Sequence, residues 1–210
     1  MTSSDPLEPA EDAPEGLRRG QLYKLAWAFY LLLALAAIVW LGMREGAISL
    51  SLFVRWPSAL PDVALGLGVG GSLIAVWTLA RRHLASARRL EDELRGLLGE
   101  IDRGEVIALA MLSGFAEELF FRGAVQGAFG WVVATALFTL LHTGPGASFR
   151  LWTLFAGVAG LAFAGLVVWR QNLLAAIVAH VVVNAVNLYY LVHTESNSAE
   201  EAGLEDGHGL

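Results

Sequence analysis

Glu117, Glu118 and Arg122 stand inside one otherwise apolar run, Glu117-Glu118-Leu119-Phe120-Phe121-Arg122. On insertion scales a charge at membrane depth costs about 2.5–3.5 kcal/mol for each Asp, Lys or Arg. An ionisable residue in such a place is read first as part of a functional site. Few other polar side chains occur at comparable depth: Gln126 on the same segment, His142 at the end of the next, and His180, Asn184 and Asn187 on the last. The chemistry this set suits is hydrolysis. A carboxylate beside an imidazole can hold and deprotonate a water. A His and an Asn on one helical face can stabilise an oxyanion, a contribution of about 3–4 kcal/mol per donor. A helical bundle that excludes bulk water strengthens each of these interactions.

Helical spacing sorts the polar groups. Glu118 and Arg122 are four apart, so they share a face and can pair. Glu117 lies about 100° around the helix from Glu118 and has no evident local partner. His180 and Asn184 are also four apart, as are Phe138 and His142, so three polar stripes could converge. Each motif alone has a structural alternative. Glu118–Arg122 could be glue, His142 a helix cap or interfacial residue, and His180 with Asn184 an interhelical hydrogen-bonding pair. Gln126 and Asn187 read as structural. Glu117 is the hardest to explain in that way.

The elements that must position these residues follow from composition. The 210 residues are 56% hydrophobic and only 16% charged, with a mean hydropathy of +0.56. A soluble domain carries about 25% charge. The expected fold is therefore all-α: one polytopic transmembrane helical bundle with about six membrane segments. The formal charge of −6 is concentrated at the acidic ends and says little of partners. No basic patch is interleaved with aromatics outside a short loop, so no nucleic-acid partner is expected. The chain has no cysteine, which excludes disulfides, thiolate metal sites and a Cys nucleophile.

Residues 1–20 are expected to form a disordered tail, in which Met1–Gly16 is acidic, contains proline and lacks the apolar core of a signal peptide. Residues 21–193 are the expected membrane domain, with the motif-bearing core at 105–192, and 194–210 a second disordered, acidic tail. Leu22–Met43 and Pro61–Ala80 are the first two spans; Gly66, Gly68, Gly70 and Gly71 would permit close helix packing. Residues 81–103 break the hydropathy, and Leu90, Leu94, Leu97, Leu98 and Ile101 share a helical face. They predict an amphipathic helix, lying on the membrane surface or extending the second span, or a solvated connector packed on the bundle. Val106–Phe129 carries the ionisable cluster. Trp131–His142 is short and stops at Thr143-Gly144-Pro145-Gly146, which leaves open a short buried span or a re-entrant helix. Leu151–Trp169 and Asn172–Val192 complete the set. Arg18, Arg19 and Lys24 precede the first span, and Arg81, Arg82, Arg88, Arg89, Arg95 and Arg103 follow the second. The opposite side carries Arg44, Arg55 and Arg170. The positive-inside rule puts the richer side, and both termini, in the cytoplasm.

Glu117-Glu118-x-x-x-Arg122, Phe138-x-x-x-His142 and His180-x-x-x-Asn184, in that order on successive segments, resemble the motif set of the CAAX protease and bacteriocin-processing family. That family includes the Ras-converting type of CAAX prenyl endopeptidase and its bacterial relatives. The resemblance runs over Glu105–Val192 with every motif position intact; the first two spans and the amphipathic segment lie outside it. It implies an intramembrane endopeptidase acting on a membrane-associated protein or peptide. On it, Glu117 and His142 would activate water, His180 and Asn184 would form the oxyanion site, and Glu118 and Arg122 would hold the site in place. Such enzymes carry the traditional label of metalloprotease. If a metal is bound, its ligands would be Glu117, His142 and His180, since His and Glu are ordinary zinc donors. The chain lacks His-Glu-x-x-His, and the preferred reading is a metal-free glutamate mechanism with no cofactor.

Two other readings compete. One is a non-catalytic membrane immunity or scaffold protein that binds a peptide or a sensor partner. The other is a proton or ion pathway through the same buried groups. Asn184 beside His180 favours the protease, because a proton relay has no need of the Asn. The Ala/Gly/Leu/Arg bias points to a prokaryotic cell membrane, with leader peptides, bacteriocins or membrane-bound regulators as substrates rather than prenylated termini. The partners expected are membrane lipid and a peptide or membrane-protein substrate. The sequence fixes neither the substrate nor the oligomeric state.

Overall fold

The computed structural model describes residues 21–98 and 101–193, and every regular element among them is helical. The two tails read as disordered lie outside the described residues. The order is α1 (Gln21–Glu45), a 3-10 turn (Leu50–Leu52), α2 (Ala59–His83), α3 (Ala85–Leu98), α4 (Arg103–Glu117), a π-helix (Glu118–Val125), α5 (Gln126–Leu141), α6 (Phe149–Arg170) and α7 (Leu174–His193). Five stretches are long and apolar enough to cross a membrane: Tyr23–Glu45, Ala59–His83, Arg103–Leu141, Phe149–Arg170 and Leu174–His193. This is an integral membrane protein with the polytopic helical fold expected.

Five stretches stand where about six segments were expected, because the third and fourth belong to one helical run. That run is not straight. Gly130 has φ 85° and ψ 166°, a conformation that is essentially reserved for glycine. The Phe121 and Phe138 rings meet edge to face at 5.1 Å. Glu117 and His142, which a straight helix would hold about 37 Å apart, approach to 3.7 Å. The chain therefore reverses at Gly130 into a helical hairpin. Its returning leg, Trp131–Leu141, is about 17 Å long and so too short for a hydrocarbon core of about 30 Å. It is a half-length helix folded back on the motif segment.

Between apolar helices in lipid, close packing rather than the hydrophobic effect supplies most of the attraction. α7 lies at the centre, against α2, α4 and α6. A Cβ on Gly66 would stand 2.6 Å from the Ala175 carbonyl oxygen, and one on Gly114 would stand 2.7 Å from Val181 Cγ2. Both α2 and α4 thus approach α7 at distances only glycine allows.

Polar clamps hold the helix ends. At one end, buried Asp62 of α2 pairs with Arg170 and accepts from Asn172 Nδ2 at 2.8 Å. Asn172 Oδ1 in turn accepts the Leu174 amide at 2.9 Å, capping α7. Arg44 Nη2 donates to the Gly127 carbonyl at the same end. At the other, arginine-rich end, α3 lies across the bundle. Its Ala87 and Leu90 are fully buried, Trp77 Nε1 donates to Glu91 Oε1 at 2.9 Å, and Arg95 Nε donates to the Leu191 carbonyl at 2.8 Å. Of the apolar face read for 81–103, Leu90 and Ile101 are buried and Leu94 packs against the core formed with α2, α6 and α7. Asp102 and Glu105 then close a capping box that starts α4, each side chain accepting the other's backbone N–H at 2.9 Å.

Candidate active site

Glu117 ends α4, and Glu118–Val125 continue as a π-helix. Such turns are rare and are frequently found at functional sites. The α-helical spacing assumed from sequence does not hold here, yet Glu118 and Arg122 still meet. Arg122 Nη1 donates to Glu118 Oε1 at 3.0 Å, and both side chains are wholly buried. Arg122 Nη2 donates to the Gly160 carbonyl at 3.0 Å. The guanidinium lies 4.3 Å from the Phe138 ring centroid, a cation–π contact. Gly160 makes room for this: a Cβ there would stand 3.0 Å from Phe138 Cδ1. These contacts meet part of the buried pair's hydrogen-bonding capacity; Glu118 Oε2 and Arg122 Nε are buried without a partner.

The pair is not self-contained, as the spacing suggested. His180 Nδ1 donates to the same Glu118 Oε1 at 2.7 Å, and its ring stacks on Phe163 at 4.9 Å. His142 Nδ1 donates to the Phe138 carbonyl at 2.7 Å, and its ring stacks on Phe138 at 4.2 Å. A carbonyl oxygen can only accept, so neutral His142 carries its proton on Nδ1; the Glu118 carboxylate imposes the same tautomer on His180. Each Nε2 is then free, and both face Glu117. They stand 3.7 Å (His142) and 4.0 Å (His180) from Glu117 Oε2. That oxygen is buried and has no hydrogen-bond partner.

Asn184 lies one turn beyond His180 on α7. Its Nδ2 donates to Ser113 Oγ at 2.9 Å, and Ser113 is buried on α4, one turn before Glu117. Glu117, Glu118, Arg122, His142 and His180 thus form one cluster, and Asn184 is tied to the wall beside it. Glu117, His142 and His180 are the side chains that could hold a zinc ion. Among the described residues no group of three His, Cys, Asp or Glu side chains has the arrangement of a metal site.

Two neighbours escaped the sequence reading. Ser113 is four residues before Glu117 on the same face, and the helix-spacing rule could have found it. Tyr30, on α1, brings its hydroxyl to Glu117; nothing in the order of the chain links the two. Gln126 donates to the Ala164 carbonyl at 3.3 Å, in keeping with a structural role. A groove of about 720 Å³ along Leu32, Leu35, Val39 and Met43 lies on the outer side of α1 and touches none of these residues.

Residues 103–186 match the sequence family described as Type II CAAX prenyl endopeptidase Rce1-like. A Bacillus subtilis (strain 168) protein, described as uncharacterized protein YpbD, is 37% identical over 86 residues, which covers 39% of this chain and 42% of that protein. The match therefore spans less than half the length of that curated relative. No solved structure matches the chain significantly. The matched stretch, residues 103–186, holds all seven motif positions, from Glu117 to Asn184.

Proposed function

We propose that the protein is an intramembrane endopeptidase that hydrolyses a peptide bond of a membrane-associated protein or peptide. One observation carries this reading: His142 Nε2 and His180 Nε2 converge, at 3.7 and 4.0 Å, on the buried and unpartnered Oε2 of Glu117. With both histidines protonated on Nδ1, all three converging atoms are acceptors. Their separations exceed direct hydrogen bonds, which run to about 3.2 Å. A water donates to two such atoms and keeps its lone pairs for a carbonyl carbon. Glu117 takes a proton as the water oxygen attacks, and the carbonyl π electrons move onto oxygen. Asn184 has a second amide hydrogen, not engaged by Ser113, to offer that oxyanion. His180 joins it through Nε2 only as the imidazolium. The proton on Glu117 then passes to the amide nitrogen as the C–N bond breaks.

The scheme needs no metal or cofactor. The arginine-rich end is the cytoplasmic one in this reading, the membrane is a prokaryotic cell membrane, and leader peptides, bacteriocins or membrane-bound regulators are the substrate classes. Comparative proteomics of membranes from wild-type and Glu117→Gln cells tests the proposal. Loss of the general base is expected to slow cleavage about 10²–10⁴-fold. At least one membrane-associated protein then accumulates uncut, while the variant inserts in normal amount. Identical peptide termini in the two membranes would refute a peptidase and favour the scaffold reading. Ion flux in liposomes without cleavage would favour the ion pathway.

A further inference from the structure

The corner where α2 turns into α3 carries a cationic surface that the chemistry above does not use. Arg82, His83, Arg88 and Arg89 are exposed there. Arg81 turns inward instead, its guanidinium 3.4 Å from the Tyr190 ring centroid. Arg88 Nη1 donates to the Arg81 and Arg82 carbonyls at 3.1 and 3.4 Å, capping the negative end of the α2 dipole. Among the described residues, no ion pair includes Arg82, Arg88 or Arg89. Leu84 stands among these cations and is 44% exposed. The corner follows directly on the apolar span Ala59–His83, so it sits where hydrocarbon gives way to headgroups.

We propose that this corner binds the headgroups of anionic phospholipids in the adjoining leaflet, with Leu84 entering the acyl region. An acidic soluble protein would meet the same charge, but it would leave Leu84 unmatched and would have to reach into the interface. The assignment does not depend on the peptidase reading. The bound lipid also bears on the polar cluster. Glu93 of α3 accepts from Ser148 Oγ at 2.8 and 2.9 Å, and Ser148 lies on the connection that follows His142. Arg95 ties the same helix to α7, which carries His180. Lipid that holds α3 therefore steadies both elements that present the histidines.

The test uses the full chain in nanodiscs of phosphatidylcholine, alone or mixed with phosphatidylglycerol. Wild type is compared with Arg82→Gln/Arg89→Gln, which leaves the Arg88 cap in place. Wild type is expected to retain phosphatidylglycerol through detergent extraction and to melt higher when it is present. The variant melts like wild type in phosphatidylcholine, and its retention of phosphatidylglycerol falls about fivefold for each arginine removed. Equal retention by both proteins overturns the site. A soluble glutamate-rich peptide that stabilises the protein as well as the lipid does overturns the choice of ligand. Phosphatidylglycerol should also slow hydrogen exchange over 142–148 in wild type but not in Ser148→Ala; unchanged exchange in wild type overturns the coupling.

Discussion

Glu118 serves two partners through one oxygen: Oε1 accepts from Arg122 at 3.0 Å and from His180 at 2.7 Å. The carboxylate thereby joins the ion pair on its own helix to a ring on α7. It also sets which nitrogen of His180 faces Glu117. Removing one member of a buried pair strands the other, at about 3–5 kcal/mol, whereas removing both charges costs far less. Arg122→Met is therefore expected to destabilise the folded bundle by about that amount. Glu118→Gln/Arg122→Met should recover much of the loss, as read by thermal or denaturant unfolding in detergent. A double variant less stable than Arg122→Met would show that Glu118 is held by something other than the pair. The neighbouring Glu117 is in a different position, since its Oε2 has no partner and its substitution should change chemistry more than stability.

The hairpin is the element that assembles the cluster. His142 meets Glu117 only because the helix reverses at Gly130, where φ is 85°. An L side chain in that region costs about 1–3 kcal/mol. Gly130→Ala should therefore lower the melting temperature and, by displacing the returning leg, impair processing in the membrane proteome while insertion is retained. Normal processing in Gly130→Ala would mean that the leg is positioned by its other contacts, such as Phe121 against Phe138 at 5.1 Å. The π-helix works on the same scale. It lets Glu117, Glu118 and Arg122 sit on one helical run while Glu117 faces the two Nε2 atoms, Glu118 meets His180 Nδ1, and Arg122 faces Gly160 and Phe138.

At the scale of the whole molecule, the contacts sort the helix ends into two sets. Arg44, Asp62, Gly127 and Arg170 gather at one end, and α3 with Ser148, Tyr190 and Leu191 at the other. The positive-inside rule predicts that the second end is the cytoplasmic one. Because the chain has no native cysteine, single-cysteine labelling can check this directly. Ser51→Cys and Ser86→Cys replace exposed serines at opposite ends. A membrane-impermeant maleimide should label the first in intact cells and the second only after permeabilisation. The reverse pattern would invert the topology and would place the α2–α3 corner against the other leaflet.

The sequence by itself determined the membrane class, the approximate segments and the identity of the polar groups. Apolar runs and charge placement are properties of composition, and each motif repeats at the local period of a helix. The break at Gly130 falls between two expected segments, Val106–Phe129 and Trp131–His142. The reversal there was not legible, since a φ angle is set by what packs on either side. Nor was the sharing of Glu118 between Arg122 and His180, or the approach of Tyr30 to Glu117, because these contacts join residues far apart in the chain. The face that α3 turns to the bundle was likewise undecided: an amphipathic helix satisfies its apolar side equally on lipid or on protein. Only the tertiary structure supplied Trp77 to meet Glu91 of α3 and the Leu191 carbonyl to meet its Arg95. Local periodicity thus named the chemistry, and long-range packing decided where each proton and each lone pair points.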